Sequence, residues 1–438
     1  MICQNRIFIN KIPDYNDKLN TMSNISFLLW RQRKTSRVLI TDAHLKASLA
    51  VIRSLGKKNI HIAAGSEIKS AIGLHSKFCS KKFVYPNPRI NVNDFLQNLL
   101  RIVKQDQYDC IIPTHTYTAF ILAKFRDLFS NYTKIPPPDF QVFINAFDKQ
   151  YLLNTAMKNN VACPRTYSFN PSDEGEDVIE DYPVIIKPAR RHGIKIEICH
   201  TPSALRNKFN AMSRKYGPCI VQDYVPNGGE LGVYTLFNDK SEPLALTVQK
   251  RLRSLNSYGG ISTLRETVKN DALVDIAFHL LKTIRWSGVA MVEFRIDARD
   301  GIPKLMEINP RFWGSLQLSI LSGVDFPYLF YKNIMHEEQT STLHFKEGVQ
   351  CRWFTGEISR LFSGSGKLQI IRDVLQPCAH DDIISLKDPK PMIASVFSPW
   401  DSSDDEPRDD SFLKNDEISI INLKQKEENS HENIAHFS

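Results

Sequence analysis

From Arg37 onward the chain alternates two local signals, and that alternation limits its fold more than any composition figure. "RVLIT" (37–41) is a short β-branched run, "AHLKASLAVIRSLG" (43–56) carries apolar residues at helical spacing, and "IHIAA" (60–64) reads as strand again. "VNDFLQNLLRIVKQ" (92–105) predicts a second helix with Asp94 in its first turn, and "YDCIIPT" (108–114) a third strand. Strands that alternate with helices belong to βαβ units on a parallel sheet. No GxGxxG follows the first strand, so a dinucleotide site is not supported. "KIPPPDF" (134–140) punctuates the end of this unit.

The pattern then changes. A helix at "KQYLLNTAMKNN" (149–160) leads through "VACPRT" and an acidic loop, "PSDEGEDVIEDYP" (171–183), to the strand "VIIKPA" (184–189) and a helix near 202–215. Strands follow at "CIVQDYV" (219–225), "ELGVYTLF" (230–237) and "LALTVQKRL" (244–252), then a helix over 271–285 and the closing strands "GVAMVEFRI" (288–296) and "IPKLMEIN" (302–309). Strand-rich sequence with interposed helices predicts α+β layers. Residues 345–400 are less periodic and read as an appendage. Residues 1–36 are a polar extension, and 401–438, with 4 Lys+Arg against 11 Asp+Glu, predict an acidic, disordered tail.

The net charge of +8 hides that tail: residues 1–400 carry 52 Lys+Arg against 37 Asp+Glu. A basic body suits anionic small molecules at least as well as nucleic acid, and no aromatic-interleaved basic stripe argues for the latter. No apolar run approaches the roughly 20 residues that cross a bilayer. "ISFLLW" (25–30) is too short for a secretory signal and is followed by "RQRK". Eight cysteines lie scattered without a CxxC or Cys/His cluster, which speaks against zinc and for reduced core thiols. A cytoplasmic protein without a membrane span is expected.

"KLMEINPRFWGS" (304–315) holds the most pointed local feature. Apolar Leu305, Met306 and Ile308 make it a strand, and Pro310 ends it. Glu307 and Asn309, two apart, therefore share one face. Two oxygen donors on a stiff strand suit a hard cation such as Mg²⁺, which commonly shares its shell with phosphate. An edge strand with a polar outer face explains the pair equally well.

As a set, "DK" (148–149), "VIIKPA" (184–189), "VQDYVPNGGELGV" (221–233), "VQKRLR" (248–253), "GVAMVEF" (288–294) and "LMEINPRFWGS" (305–315) resemble the ATP-grasp superfamily. Within it, "PRFWGSLQLSILSGVDFP" (310–327) and "DDIISLKDPKP" (381–391) are similar to the carboxylate–amine ligase-like proteins. The resemblance covers roughly 37–400. It implies a pre-ATP-grasp domain over 37–140 and a two-lobed ATP-grasp domain over 141–344, with a small lobe about 150–225 and a large lobe about 226–344. The appendage (345–400) and the tail follow.

The resemblance also implies a ligand set. Glu293, with Glu307 and Asn309 on a neighbouring strand, would hold Mg²⁺, two ions in many relatives, with Mn²⁺ a substitute. A buried, unpaired Glu293 would otherwise be costly. Lys149 and Lys187 would meet ATP phosphates, although a lone strand-end lysine is more commonly a solvated charge. The backbone of Gln222, Asp223, Tyr224 and Val225 would face adenine, and Glu230 the ribose, unless it is simply an exposed turn glutamate. Arg311 would face an acyl phosphate or substrate carboxylate. Gln249, Arg251 and Arg253 alternate on one strand face as a second anion clamp, with structural ion pairing the alternative for the arginines. Catalysis would then rest on Arg311, Arg251 and Lys187. The loop "ARRHGIKIE" (189–197) has one glycine where the family's phosphate lid is commonly Gly/Ser-rich.

The activity implied is an ADP-forming ligation: ATP activates a carboxylate as an acyl phosphate and an amine displaces phosphate. A non-catalytic nucleotide-binding scaffold on a decayed fold is the alternative, and a carboxylase relative forming carboxyphosphate a third, without a biotin-carrier motif in this chain.

Overall fold

The computed structural model describes residues 35–397 apart from 168, 170–178, 180, 191–195, 257–258, 364–366, 376 and 378–379. The polar extension, the acidic tail and most of the 189–197 loop lie outside the described residues. The chain divides into Met1–Ser36 and Arg37–Ser438, and every element named belongs to the second unit.

Four parallel strands, β1 (Arg37–Ile40), β2 (His61–Ser66), β3 (Cys79–Val84) and β4 (Cys110–Ile112), pair in the order β3-β2-β1-β4. Successive side chains of a strand point to opposite faces, and β1 uses both. Val38 and Ile40 pack with Ala47, Ala50 and Val51 of α1 (Lys46–Gly56), while Leu39 joins Phe95, Leu96 and Leu99 of α2 (Val92–Asp106). Asn91 caps α2 by accepting the Asp94 N–H at 3.0 Å. Strand β3 escapes the sequence reading because Ser80, Lys81 and Lys82 break its apolar pattern. It lies at the sheet edge, where lysines are favoured. Helix α3 (Thr116–Lys124) follows β4, and α4 (Phe140–Phe147) leads into α5 (Lys149–Lys158).

A small antiparallel sheet of β5 (Thr166–Tyr167), β6 (Val184–Pro188), β7 (Glu197–Cys199) and β8 (Cys219–Asp223), ordered β5-β8-β6-β7, carries α6 (Pro202–Tyr216). Leu205, Phe209 and Met212 of α6 close its core against Val184, Ile186 and Val221.

The large sheet positions the site. Strands β9 (Asn227–Phe237), β10 (Pro243–Asn256), β11 (Gly259–Thr267), β12 (Gly288–Asp297), β13 (Pro303–Asn309) and β14 (Gln350–Arg352) run antiparallel in the order β13-β12-β9-β10-β11-β14. On one face Val233, Val248, Val292 and Phe294 pack against Leu273, Ala277, Leu280 and Leu281 of α7 (Asp271–Thr283) and against Leu152 and Leu153 of α5. The opposite face is divided along its strands. At one end Tyr234, Leu236, Val289 and Met291 pack on Phe312, Trp313, α8 (Leu316–Leu321), α9 (Phe326–Met335) and the parallel-sheet unit. At the other end the same face is polar.

Strand β11 was not expected from sequence, since of its buried residues Thr263, Arg265 and Thr267 are polar beside one apolar Leu264. Strand β14 comes from the stretch read as an appendage and pairs with β11. Beyond it lie α10 (Phe354–Ser363), α11 (Lys367–Leu375) and α12 (Lys390–Phe397). The six cysteines described, at 79, 110, 163, 199, 219 and 351, are free thiols. Among the described residues no helix is long and apolar enough to cross a membrane.

Candidate active site

The polar end of the large sheet is built by register. Glu293 on β12 pairs with Glu307 on β13, and its other neighbour, across β9, is Gly232. One residue pair further along, Arg295 (β12), Glu230 (β9), Arg251 (β10) and Arg265 (β11) lie side by side across four strands. Antiparallel pairing with a period of two brings these residues, dispersed over 66 positions, onto one surface.

The two glutamates face each other across β12 and β13. Asn309 Nδ2 donates to Glu307 Oε1 at 3.1 Å, and Lys149 Nζ lies 3.5 Å from Glu307 Oε2. The nearest cation to Glu293 is the Arg251 guanidinium, NH2 to Oε1 at 3.5 Å. Desolvation, followed by repulsion from Glu307, pushes Glu293 up to about 7. Glu293 is half-buried with the Arg251 guanidinium 3.5 Å away, because register places β10 within reach. Lys187, near the end of β6, is buried and pulled down to about 7 by desolvation and then by Lys149.

"DK" acts as a helix start. Asp148 caps α5 by accepting the Gln150 and Tyr151 N–H groups at 3.0 and 3.1 Å, and its second oxygen accepts from Arg190 Nε at 2.7 Å. The Lys149 N–H donates to the Ala189 carbonyl at 3.0 Å, which joins the two lysine-bearing segments.

Glu230 sits between two guanidiniums. Arg295 NH2 donates to Oε1 at 2.7 Å, and Arg251 NH1 pairs with Oε2. Arg295 NH1 also reaches the Val225 carbonyl at 3.5 Å, which ties the β8–β9 connection to the sheet. Within that connection the Asp223 and Tyr224 N–H groups donate to the carbonyls of Arg165 and Pro183 at 3.0 and 3.2 Å. Gln222 is wholly buried and its Nε2 donates to Thr166 Oγ1 at 2.8 Å.

Gln249 does not present a free amide. Its Nε2 donates to Ser319 Oγ at 2.9 Å and its Oε1 accepts from Ser315 Oγ at 2.7 Å, so it braces the "RFWGS" loop. Arg253 leaves the row because β10 and β11 slip register between Arg251 and Arg253, and its Nε donates to Glu357 of α10 at 3.1 Å. Arg311 is held from three sides: Nε donates to Thr116 Oγ1 at 3.0 Å, NH1 to the Phe312 carbonyl at 2.9 Å and NH2 to Asn309 Oδ1 at 3.3 Å.

Sequence reasoning missed Arg295, which the period of two places beside Glu293 and so makes findable. It also missed Thr116, Lys46, Arg265 and Asp382, whose contacts bridge distant segments. Among the described residues no group of three His, Cys, Asp or Glu side chains is set to hold a metal. Two opposed carboxylates and an amide fit an ion that draws its remaining ligands from phosphate, since a divalent charge between Glu293 and Glu307 removes the repulsion that raises Glu293.

Residues 217–357 match the family model described as ATP-grasp in the biosynthetic pathway with Ter operon. No curated protein matches the chain. Among solved structures, the biotin carboxylase domain of Hydrogenobacter thermophilus 2-oxoglutarate carboxylase, in complex with MgADP, ADP and bicarbonate, is similar at 16% identity and a TM-score of 0.59, over 73% of this chain and 74% of that one. N5-carboxyaminoimidazole synthetase from Staphylococcus aureus follows at 14% and 0.57, over 72% and 80%. L-amino acid ligase from Bacillus licheniformis follows at 14% and 0.53, over 70% and 76%. The parallel four-stranded sheet, the two antiparallel sheets and these likenesses give the chain an ATP-grasp fold.

Proposed function

From the ATP-grasp fold we propose that this chain is an ATP- and Mg²⁺-dependent ligase that activates a carboxylate as an acyl phosphate for attack by an amine, releasing ADP and phosphate. The observation that carries the reading is the opposition of Glu293 and Glu307 beside Asn309, with Lys149 at 3.5 Å and Lys187 close behind. Lys149 and Lys187 receive the triphosphate, and a phosphate oxygen beside Lys187 restores the proton that desolvation disfavours. Glu230, fixed by Arg251 and Arg295, accepts from the ribose hydroxyls, and Val225 faces the base. Mg²⁺, or Mn²⁺ in its place, held by Glu293, Glu307 and Asn309 would neutralise charge on the departing γ-phosphoryl group. Arg311, braced by Thr116 and Asn309, orients the carboxylate and then its acyl phosphate. The amine nitrogen attacks the acyl carbon and phosphate leaves. No side-chain nucleophile is needed.

The relatives' names support this class: an L-amino acid ligase and a carboxyaminoimidazole synthetase share the fold. We assign 37–140 to the pre-ATP-grasp domain, 141–344 to the two-lobed ATP-grasp domain, and the protein to the cytoplasm. The test is Mg²⁺-dependent ADP release by the purified chain across matched carboxylate and amine pairs. The reading expects release that requires both partners and stops without Mg²⁺. Tight Mg-ATP binding with no release under any pair would turn the reading to the non-catalytic scaffold.

A further inference from the structure

"DDIISLKDPKP" (381–391) has no role in the proposed chemistry, yet its aspartates are all engaged. Asp381 accepts the N–H groups of Ile383, Ile384 and Phe354, each at 2.8 Å, and so closes its own turn. Asp388 accepts from Arg53 Nε at 2.9 Å, Ser76 Oγ at 2.7 Å and the Lys77 N–H at 2.8 Å. One cation faces one anion there.

Asp382 differs. Arg265 NH2 donates to both of its oxygens at 2.6 Å, and Lys46 Nζ donates to Oδ2 at 2.9 Å. Two cations share one carboxylate, and the group keeps one net positive charge in a place where Asp382 is 1% and Arg265 2% exposed. Buried charge left without a counterion is costly. The Trp353 ring, 4.1 Å from Lys46 Nζ, offsets part of that cost. Arg265 NH1 donates to the Ser262 carbonyl at 3.0 Å, while its Nε is buried with no hydrogen-bond partner among the described residues. Burial also holds Lys46 below the usual lysine range in spite of Asp382.

The cluster has an outlet. Lys46 is the one member with appreciable exposure, its side chain being 13% exposed, and it runs beside Gly314, which is itself exposed. A Cβ at position 314 would meet a single neighbour, Lys46 Cε, at 3.8 Å. On its other side the cluster continues into the candidate active site, because Arg265 pairs across β11 and β10 with Arg251, the residue that reaches Glu293.

We infer that Lys46, opened by Gly314 and backed by the buried Arg265, forms a subsite for a second anionic group on the substrate, a carboxylate or a phosphate. The inference rests on the ligase reading and adds a substrate class to it: a doubly anionic molecule rather than a simple monocarboxylate or neutral amine. Asp382 serves as a positioning residue that holds both cations while leaving their charge unbalanced.

The test is calorimetric binding of inorganic phosphate and, separately, succinate to the full chain, with and without saturating Mg-ADP. Wild type, Lys46→Met and Gly314→Leu are compared. Lys46→Met leaves Arg265 and Asp382 balanced one to one, and Gly314→Leu covers Lys46 without removing its charge. At least one probe should bind wild type with Mg-ADP present and bind both variants at least about tenfold more weakly, with Mg-ADP affinity changed less than about twofold. The probe that binds identifies the group as phosphate or carboxylate. Absence of binding of both probes to wild type, or equal binding by the variants, overturns the subsite. Should Lys46→Met fail to fold, Gly314→Leu alone decides. Failure of Mg-ADP to bind would count against the ligase reading, while the nucleotide-free titrations would still decide the subsite.

Discussion

Two sets of buried carboxylates in this molecule have opposite electrostatics. Burial would raise Asp382 and Asp388, but Arg265 with Lys46, and Lys77 N–H with Ser76 and Arg53, outweigh it and hold both below the usual carboxylate range. Glu293 shares a sheet with Arg265, yet burial and the facing Glu307 drive it up to about 7. The difference is the partner. Asp382 and Asp388 meet their cations within the protein, and their side chains are 1% and 2% exposed. Glu293 and Glu307 keep 25% and 22% of their side-chain surface and face each other. The strap at 381–388 sets a cation within 2.9 Å of each of its two buried aspartates, whereas Glu293 has Arg251 at 3.5 Å and faces Glu307.

Breaking the strap should have the largest effect. Asp382→Ala strands Lys46 and Arg265 with no anion, and is expected to cost about 3–5 kcal/mol of stability, read as a fall in denaturation midpoint. A change within error would mean that the strap is ornamental and the comparison fails. Glu307→Gln should do the reverse: the fold stays at least as stable, because a repulsion disappears, while Mg²⁺-dependent ADP release falls roughly a hundred- to thousandfold. A folded variant with full turnover would remove the carboxylate pair from the mechanism.

Lys187→Ala addresses the cation side of the site. Mg-ATP binding should weaken by roughly 1.5–3 kcal/mol, about one to two decades, with adenosine binding nearly unchanged. Equal loss for both ligands would show that Lys187 supports the fold instead.

The smallest effect is in the pH dependence of the metal-free protein, and its sign sharpens the contrast. Glu293, raised from 4.5 to about 7, binds a proton in the native state that the unfolded chain has lost, so its contribution to stability disappears as pH rises through about 7. Lys187, lowered from 10.5 to about 7, is neutral in the native state where the unfolded chain is charged, so stability recovers between about 7 and 10.5. Asp382 and Asp388 lose their contribution as pH falls below 3.8. Melting temperature should therefore show a shallow minimum near neutrality. Glu293→Gln should flatten its acid side and Lys187→Met its alkaline side. A monotonic profile in wild type would contradict both shifts.

Much of this was legible locally. Apolar runs located β1, β2, β4, β6, β8 and the strands carrying the glutamates, and spacing of two put Glu307 beside Asn309. The same rule, extended along β12, would have found Arg295. Strands β3, β11 and β14 were not legible, because an edge position tolerates Lys81 and Lys82, and because buried Thr263, Arg265 and Thr267 take their partners from elsewhere in the fold. Gln249 and Arg253 alternated with Arg251 as expected, but a register slip turned Arg253 to Glu357, and Ser315 with Ser319 claimed Gln249.

The sequence by itself determined most of the segments that become strands, which of their faces are polar, and that acidic and basic residues of ligand type lie on those faces. Those properties follow from periods of two and 3.6 residues and need no distant partner. Tertiary structure alone decided which carboxylate is neutralised. Lys46 and Asp382 are 336 residues apart and Arg53 and Asp388 are 335, and the energy of an ion pair depends on the separation and burial that chain closure creates, neither of which is carried by local spacing.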